Sequence, residues 1–238
     1  MKIGIITQAR MTSTRLPGKV LQKIANKKLL EYHIERAQQA GFPVVIATST
    51  DHTDDAIEQL CQIKQWQYFR GDLENVLSRY YHAAQTYHFE TIVRITSDCP
   101  FIDGQLIKEG YQIFKDTHCE YLSNTVHRTY PRGFDFEIMT SSALEKAYLH
   151  ATEDFEKEHV TPYIWKTHPD QFRIEQFTQR KDYSDFRITV DTKEDFEVIK
   201  QLIEDYHADK MRYNEIIQLL IDHPEIVAIN KNVEQKPV

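Results

Sequence analysis

Apolar and polar positions along this chain follow two alternating periods. Lys2 to Gln8 (KIGIITQ) is a short β-branched run that reads as a buried strand, and Ala9 to Lys19, with Pro17 and Gly18, reads as a loop. Leu29 to Ala40 places Leu30, His33, Ile34 and Ala37 on one helical face; Gly41 and Pro43 then stop that helix before a strand at Val44 to Thr48. The same rhythm predicts helices over Asp54 to Lys64 and Leu73 to Thr86, with strands at Gln67 to Phe69 and Thr91 to Thr96. Further on, Asp103 to Thr117 reads as a helix, and the strand-like patches YLSN and FDFEIM flank a turn on Pro131 and Gly133. Ser141 to Ala151 and Glu153 to Thr167 read as helices, Phe172 to Phe177 and Phe186 to Val190 as strands, and Lys193 to Tyr206 as a helix. Alternating strands and helices predict an α/β fold with a mainly parallel sheet, helices on both faces and a ligand site at the carboxyl ends of the strands. One domain over residues 1–230 is expected, with a small central insertion at 118–140 facing substrate and a disordered tail at 231–238.

Composition narrows the function. The 238 residues carry 29 Lys plus Arg against 36 Asp plus Glu, a net charge of -7, which argues against a dedicated binder of nucleic acid or anionic membrane. The 13 Tyr and 12 Phe interleave with no basic stripe, so they read as core and rim residues rather than a base-stacking platform. Cys61, Cys99 and Cys119 form no CxxC pair and suggest neither a disulfide framework nor a zinc knuckle. Without an apolar leader or a run near the ~18 residues of a membrane span, a cytoplasmic setting is expected.

Three segments can carry chemistry. The loop after the first strand holds Ala9, Arg10, Ser13, Thr14, Arg15 and Lys19, a set able to cradle a triphosphate: hydroxyls and backbone N–H groups bond phosphate oxygens, and cations neutralise a departing pyrophosphate. It lacks the glycine spacing of a P-loop, so a solvated basic loop is its plainer reading. Asp98 stands just past the strand ending at Thr96, and Asp191 ends the run Arg187 to Val190, so two carboxylates can share one Mg²⁺ with substrate phosphate oxygens. Helix capping is the competing role. It suits Asp103 better, and for Asp191 both roles stay open.

The strings RMTSTRLPGKVL, IATSTDHTDD, RGDLENVLSRYYHAA, VRITSDCPFID, GFDFEI, EKEHVTPYI and RITVDTKEDFE closely resemble the spore-coat polysaccharide protein F group of cytidylyltransferases, nearly end to end. That group is related to the acylneuraminate and 3-deoxy-manno-octulosonate cytidylyltransferases. The resemblance implies a three-layer nucleotide-diphospho-sugar transferase fold (GT-A or Rossmann-like), CTP as donor, Mg²⁺ dependence, a small sugar acceptor and a homodimer. Under it Arg10, Arg15 and Lys19 match the nucleotide-loop cations, and Asp98 and Asp191 the metal ligands. It also points to Arg70, Gly71 and Asp72 for the base or ribose, and to Arg132, Asp135, Glu137 and His159 for the acceptor. The chain departs from the group at Asn26-Lys27-Lys28, commonly Gly-Lys-Pro, and at Lys157, commonly Arg, where a bidentate fork would be lost. Two rivals keep the fold: a glycosyltransferase that consumes a sugar nucleotide, and a noncatalytic sugar-nucleotide binding subunit.

Overall fold

The computed structural model describes residues 2–235. β1 (Ile3–Gln8) runs mid-sheet because both its faces are apolar: Ile5 and Ile6 point to opposite sides, each fully buried. A hairpin of β2 (Lys23–Ile24) and β3 (Lys27–Lys28) leads into α1 (Leu29–Gln38), which returns the chain to β4 (Val44–Ser49), parallel to β1. α2 (Asp55–Lys64) and β5 (Gln67–Gly71) extend that side, and α3 (Val76–Thr86) crosses to β6 (Thr91–Thr96), parallel to β1 on the other. After α4 (Gly104–Thr117) come β7 (Tyr121–Ser123), β8 (Glu137–Thr140), α5 (Ser141–His150), α6 (Asp154–His159) and β9 (Ile174–Gln176). α7 (Lys193–Glu204), α8 (Tyr213–Asp222) and α9 (Pro224–Ile229) follow.

The seven-stranded sheet has the order β5-β4-β1-β6-β8-β7-β9, with β8 antiparallel to both neighbours. Helices cover both faces, giving the expected three-layer α/β architecture. Ile5, Val93 and Ile138 pack with Ile107, Ile199 and Ile216 of α4, α7 and α8 on one face. Ile6, Ile92 and Met139 pack with Leu77, Tyr80 and Leu144 of α3 and α5 on the other. The segment 118–140, expected as a substrate-facing insertion, supplies two strands of this sheet. Among the described residues no helix is long and apolar enough to cross a membrane.

Three local expectations differ from the structure. Residues 186–190 form no strand; the segment meets the 132–134 turn through a single bridge between Arg132 and Arg187. There Gly133 (φ 115°) lies so close that a Cβ would come 2.7 Å from the Ile188 carbonyl carbon, leaving room for glycine alone. The helix expected from Glu153 to Thr167 breaks after His159, because Pro162 has no N–H to donate and Val160 takes φ 74°. Finally, β5 runs to Gly71 and α3 starts only at Val76. Asp72 Oδ1 accepts from the N–H groups of Glu74 and Asn75, and Asn75 Oδ1 caps Ser78 N at 2.9 Å. Of the tail at 231–238, residues 236–238 lie outside the described residues. Residues 231–235 reach back to the strand ends, where Glu234 O accepts from Arg15 and Gln235 from Arg187.

Candidate active site

The carboxyl ends of β1 and β6 open into a cavity of about 280 Å³, lined by Ala9, Arg10, Ser13, Thr14, Arg15 and Lys19 together with Asp98 and Asp191. The three segments flagged for chemistry thus meet in one place. The loop after β1 is pinned by a fully buried carboxylate: Asp54 Oδ1 accepts from Met11 N at 2.7 Å while Oδ2 accepts from Ser49 N and Oγ. Gly18, at φ 69°, then turns the chain so that Lys19 points inward.

Lys19 Nζ is the hub. It donates to Asp98 Oδ2 and Asp191 Oδ1, both at 2.9 Å, and to the Val190 carbonyl at 2.6 Å. Burial opposes charge on both partners, yet attraction wins: the two aspartates hold the Lys19 pKa above its ordinary value, and Lys19 with a Thr96 hydrogen bond holds the Asp98 pKa well below the usual carboxylate range. Asp191 also meets Arg15 at 2.8 Å and Arg187 at 2.9 Å. Asp195, wholly buried, accepts from Arg187, Asn230 and the N–H of Asp191, fixing the segment that carries it. Thr192, not Asp191, caps α7, so the Asp191 carboxylate stays in the cavity; Asp103 is indeed the N-cap of α4. The Asp98 carbonyl accepts from Val190 N at 2.8 Å and ties the two aspartate-bearing segments together.

A second cavity of about 160 Å³ adjoins the first, sharing Arg132, Asp135 and His159 with it. Asp135 is held by Arg128 in a bidentate pair at 2.6 and 3.0 Å. Glu137 is 3% exposed and accepts from Arg94, Tyr121 and Thr161, so about three of its roughly four acceptor sites are already taken within the protein. Arg132 differs: no carboxylate among the described residues pairs with its guanidinium, and burial and the nearby Arg128 lower its pKa. Burial also lowers the pKa of His159, favouring the neutral ring. Arg10 faces Glu158 at 3.8 Å.

Arg70, Gly71 and Asp72 stand apart from both cavities. Arg70 is spent on Asp55, Glu58 and the carbonyls of Ser49 and Asp51, which locks β5 to α2. Arg94, Arg128 and Arg79, which do not stand out in the sequence, also line the cavities. His33, in sequence only a helix-face residue, donates from Nδ1–H to the Cys99 carbonyl at 2.8 Å and accepts at Nε2 from Thr7 Oγ1 at 2.9 Å. Burial pulls the His33 pKa down to about 4, so the ring stays neutral and steadies the Asp98 loop. Burial drives the Cys99 thiol well above its ordinary pKa, which suits packing rather than nucleophilic attack.

Among the described residues no group of three or more His, Cys, Asp or Glu converges for a metal. What does converge is two carboxylates and a carbonyl on the Lys19 ammonium, an all-oxygen set of the kind a hard divalent cation takes when substrate oxygens complete its shell.

Comparison with known proteins gives this arrangement its context. A family profile described as cytidylyltransferase matches residues 3–233. The chain is 35% identical to the spore coat polysaccharide biosynthesis protein SpsF of Bacillus subtilis, over 94% of this chain and 95% of that protein. The structure of a cytidylyltransferase from Leptospira borgpetersenii superposes with a TM-score of 0.91 at 34% identity, covering all of both chains. A CMP:2-keto-3-deoxy-manno-octonic acid synthetase solved with CTP shares the fold at a TM-score of 0.65 and 18% identity, over 87% of this chain and all of that one.

Proposed function

The chain belongs to the cytidylyltransferase family, and from that premise we propose that it joins CMP from CTP to a small sugar acid or sugar phosphate, releasing pyrophosphate for surface-polysaccharide synthesis. The observation that carries this reading is the meeting of Lys19, Asp98 and Asp191 beneath the Arg10 to Arg15 loop. The loop's hydroxyls and cations bind the triphosphate, and Arg10 and Arg15 take up charge on the leaving pyrophosphate. Arg15 reaches the phosphates by exchanging its Asp191 contact for them, and Lys19 does the same with its two carboxylates. Asp98 and Asp191 would hold Mg²⁺, which when bound supplies Lewis-acid stabilisation of phosphate charge. In the adjoining cavity Arg132 would draw in the acceptor's anionic group, and where the acceptor attacks through a hydroxyl rather than a phosphate oxygen a neutral His159 would accept a hydrogen bond from it. No protein nucleophile is required. The reading extends to a cytoplasmic homodimer.

Incubating the protein with Mg²⁺, each nucleoside triphosphate in turn and a panel of acidic and phosphorylated sugars, then weighing the product by mass spectrometry, tests this. A CMP- or CDP-sugar is expected with CTP alone. Consumption of a sugar nucleotide without any triphosphate would instead indicate glycosyl transfer, and binding without turnover would indicate a noncatalytic subunit.

A further inference from the structure

Arg79 enters the larger cavity from α3, on the sheet face away from α7. It is 1% exposed, yet among the described residues its guanidinium has one hydrogen bond, to the Leu73 carbonyl at 3.1 Å, and its buried Nε has no acceptor. No carboxylate among the described residues lies within ion-pair distance. The other buried arginines are answered: Arg36 by Asp103 and the carbonyls of Ile102 and Met211, Arg187 by Asp191 and Asp195. Burying a guanidinium without acceptors is strongly unfavourable, so this position waits for acceptors from outside the chain. Burial accordingly pulls the Arg79 pKa below the ordinary arginine range.

We propose that Arg79 reads the nucleobase and selects cytosine over uracil, an inference that rests on CTP being the donor. A guanidinium is a planar fork of donors with no acceptor. Cytosine offers two adjacent acceptors, O2 and N3, to such a fork. Uracil carries a hydrogen on N3, so one arm of the fork would meet another donor. Ala9, Val20 and Val76 line the same cavity and suit the faces of a flat base, while the cations and hydroxyls that suit phosphate lie in the loop after β1. The side chain is held in place by its stem: a Cβ on Gly71 would press within 3.1 Å of Arg79 Cγ. Gly71 thus serves the base through Arg79 rather than by touching it.

The test is calorimetric binding of CTP and UTP with Mg²⁺, and melting with and without nucleotide, for the wild type, Arg79→Met and Arg79→Lys, beside pyrophosphate release from CTP. The wild type is expected to prefer CTP by at least about 100-fold, in line with sites built to hydrogen-bond one analogue of a pair. Both variants should lose most of that preference, and nucleotide-free Arg79→Met should melt no lower than wild type, since it removes an unanswered charge; the lysine variant carries the test if the methionine variant does not fold. Retention of the CTP preference in the variants, or an equal loss of CTP and UTP binding, overturns the assignment. If wild-type pyrophosphate release from CTP persists in that case, the donor reading stands and Arg79 alone is reassigned. A wild type that neither binds CTP nor releases pyrophosphate brings down both.

Discussion

Around Asp191 every charge is answered within the protein, whereas Arg79 and Arg132, lining the same cavity, meet no carboxylate among the described residues. Lys19 and Arg79 are buried and Arg132 is half-buried, so charge is costly in both regions; the difference is where compensation comes from. The carboxylate cluster is balanced by the internal cations Arg15, Lys19 and Arg187. Arg79 is held by its stem against Gly71, and in the proposed reading both arginines take their acceptors from substrate. Preorganisation in this site therefore takes two forms, one filled by the protein's own counter-ions and one left for ligand.

Lys19→Met should disturb the filled region most. It strands Asp98, leaves Asp191 to Arg15 and Arg187, and removes a phosphate ligand, so turnover is expected to fall about 10³-fold. Chemical denaturation should show a loss of ~2 kcal/mol, less than a fully enclosed pair because the cavity admits water, and added Mg²⁺ should restore part of it. Unchanged stability would mean the cluster is not the internally balanced unit described. In the unfilled region, Arg132→Ala should raise the acceptor KM about 10- to 100-fold with a smaller change in kcat and no loss of melting temperature. Equal destabilisation by the two substitutions would erase the contrast.

pH sharpens it further. The folded Asp98 pKa is depressed, so its contribution is fully present above about pH 3.9 and is lost as pH falls toward the folded value. The folded Lys19 pKa is raised, so its contribution holds below about pH 10.4 and is lost only as pH rises through the folded value. Between about pH 4 and pH 2 the wild type should lose ~1 kcal/mol more than Asp98→Asn, read from urea midpoints. The smallest effect belongs to Cys99→Ser, where turnover should change by less than about 3-fold; near-total loss with the fold intact would give the thiol a covalent role.

Much of the filled region was legible in the sequence. A carboxylate directly after an apolar strand, as at Asp98, and cations in the loop after the first strand are placed by strand period alone. The unfilled region was partly hidden. Arg79 lies three residues after Val76 and four before Ala83, inside the apolar stripe of α3, and a cation in that register was a readable sign of a buried role. Arg70 was misplaced because β5 runs two residues longer than its apolar run, which turns the side chain toward Asp55 and Glu58 of α2. Glu137 reads as a sugar-binding carboxylate until Arg94, Tyr121 and Thr161, distant in sequence, are seen to occupy it.

The central claim is cytidylyl transfer at Asp98, and pyrophosphate release from CTP in the presence of an accepted sugar and Mg²⁺ tests it most directly, for the wild type beside Asp98→Asn. Release by the wild type and a loss of at least about 10³-fold in a variant that stays folded at the assay temperature is the predicted result. Equal release by both proteins, or none from CTP by the wild type with any acceptor, would contradict the account.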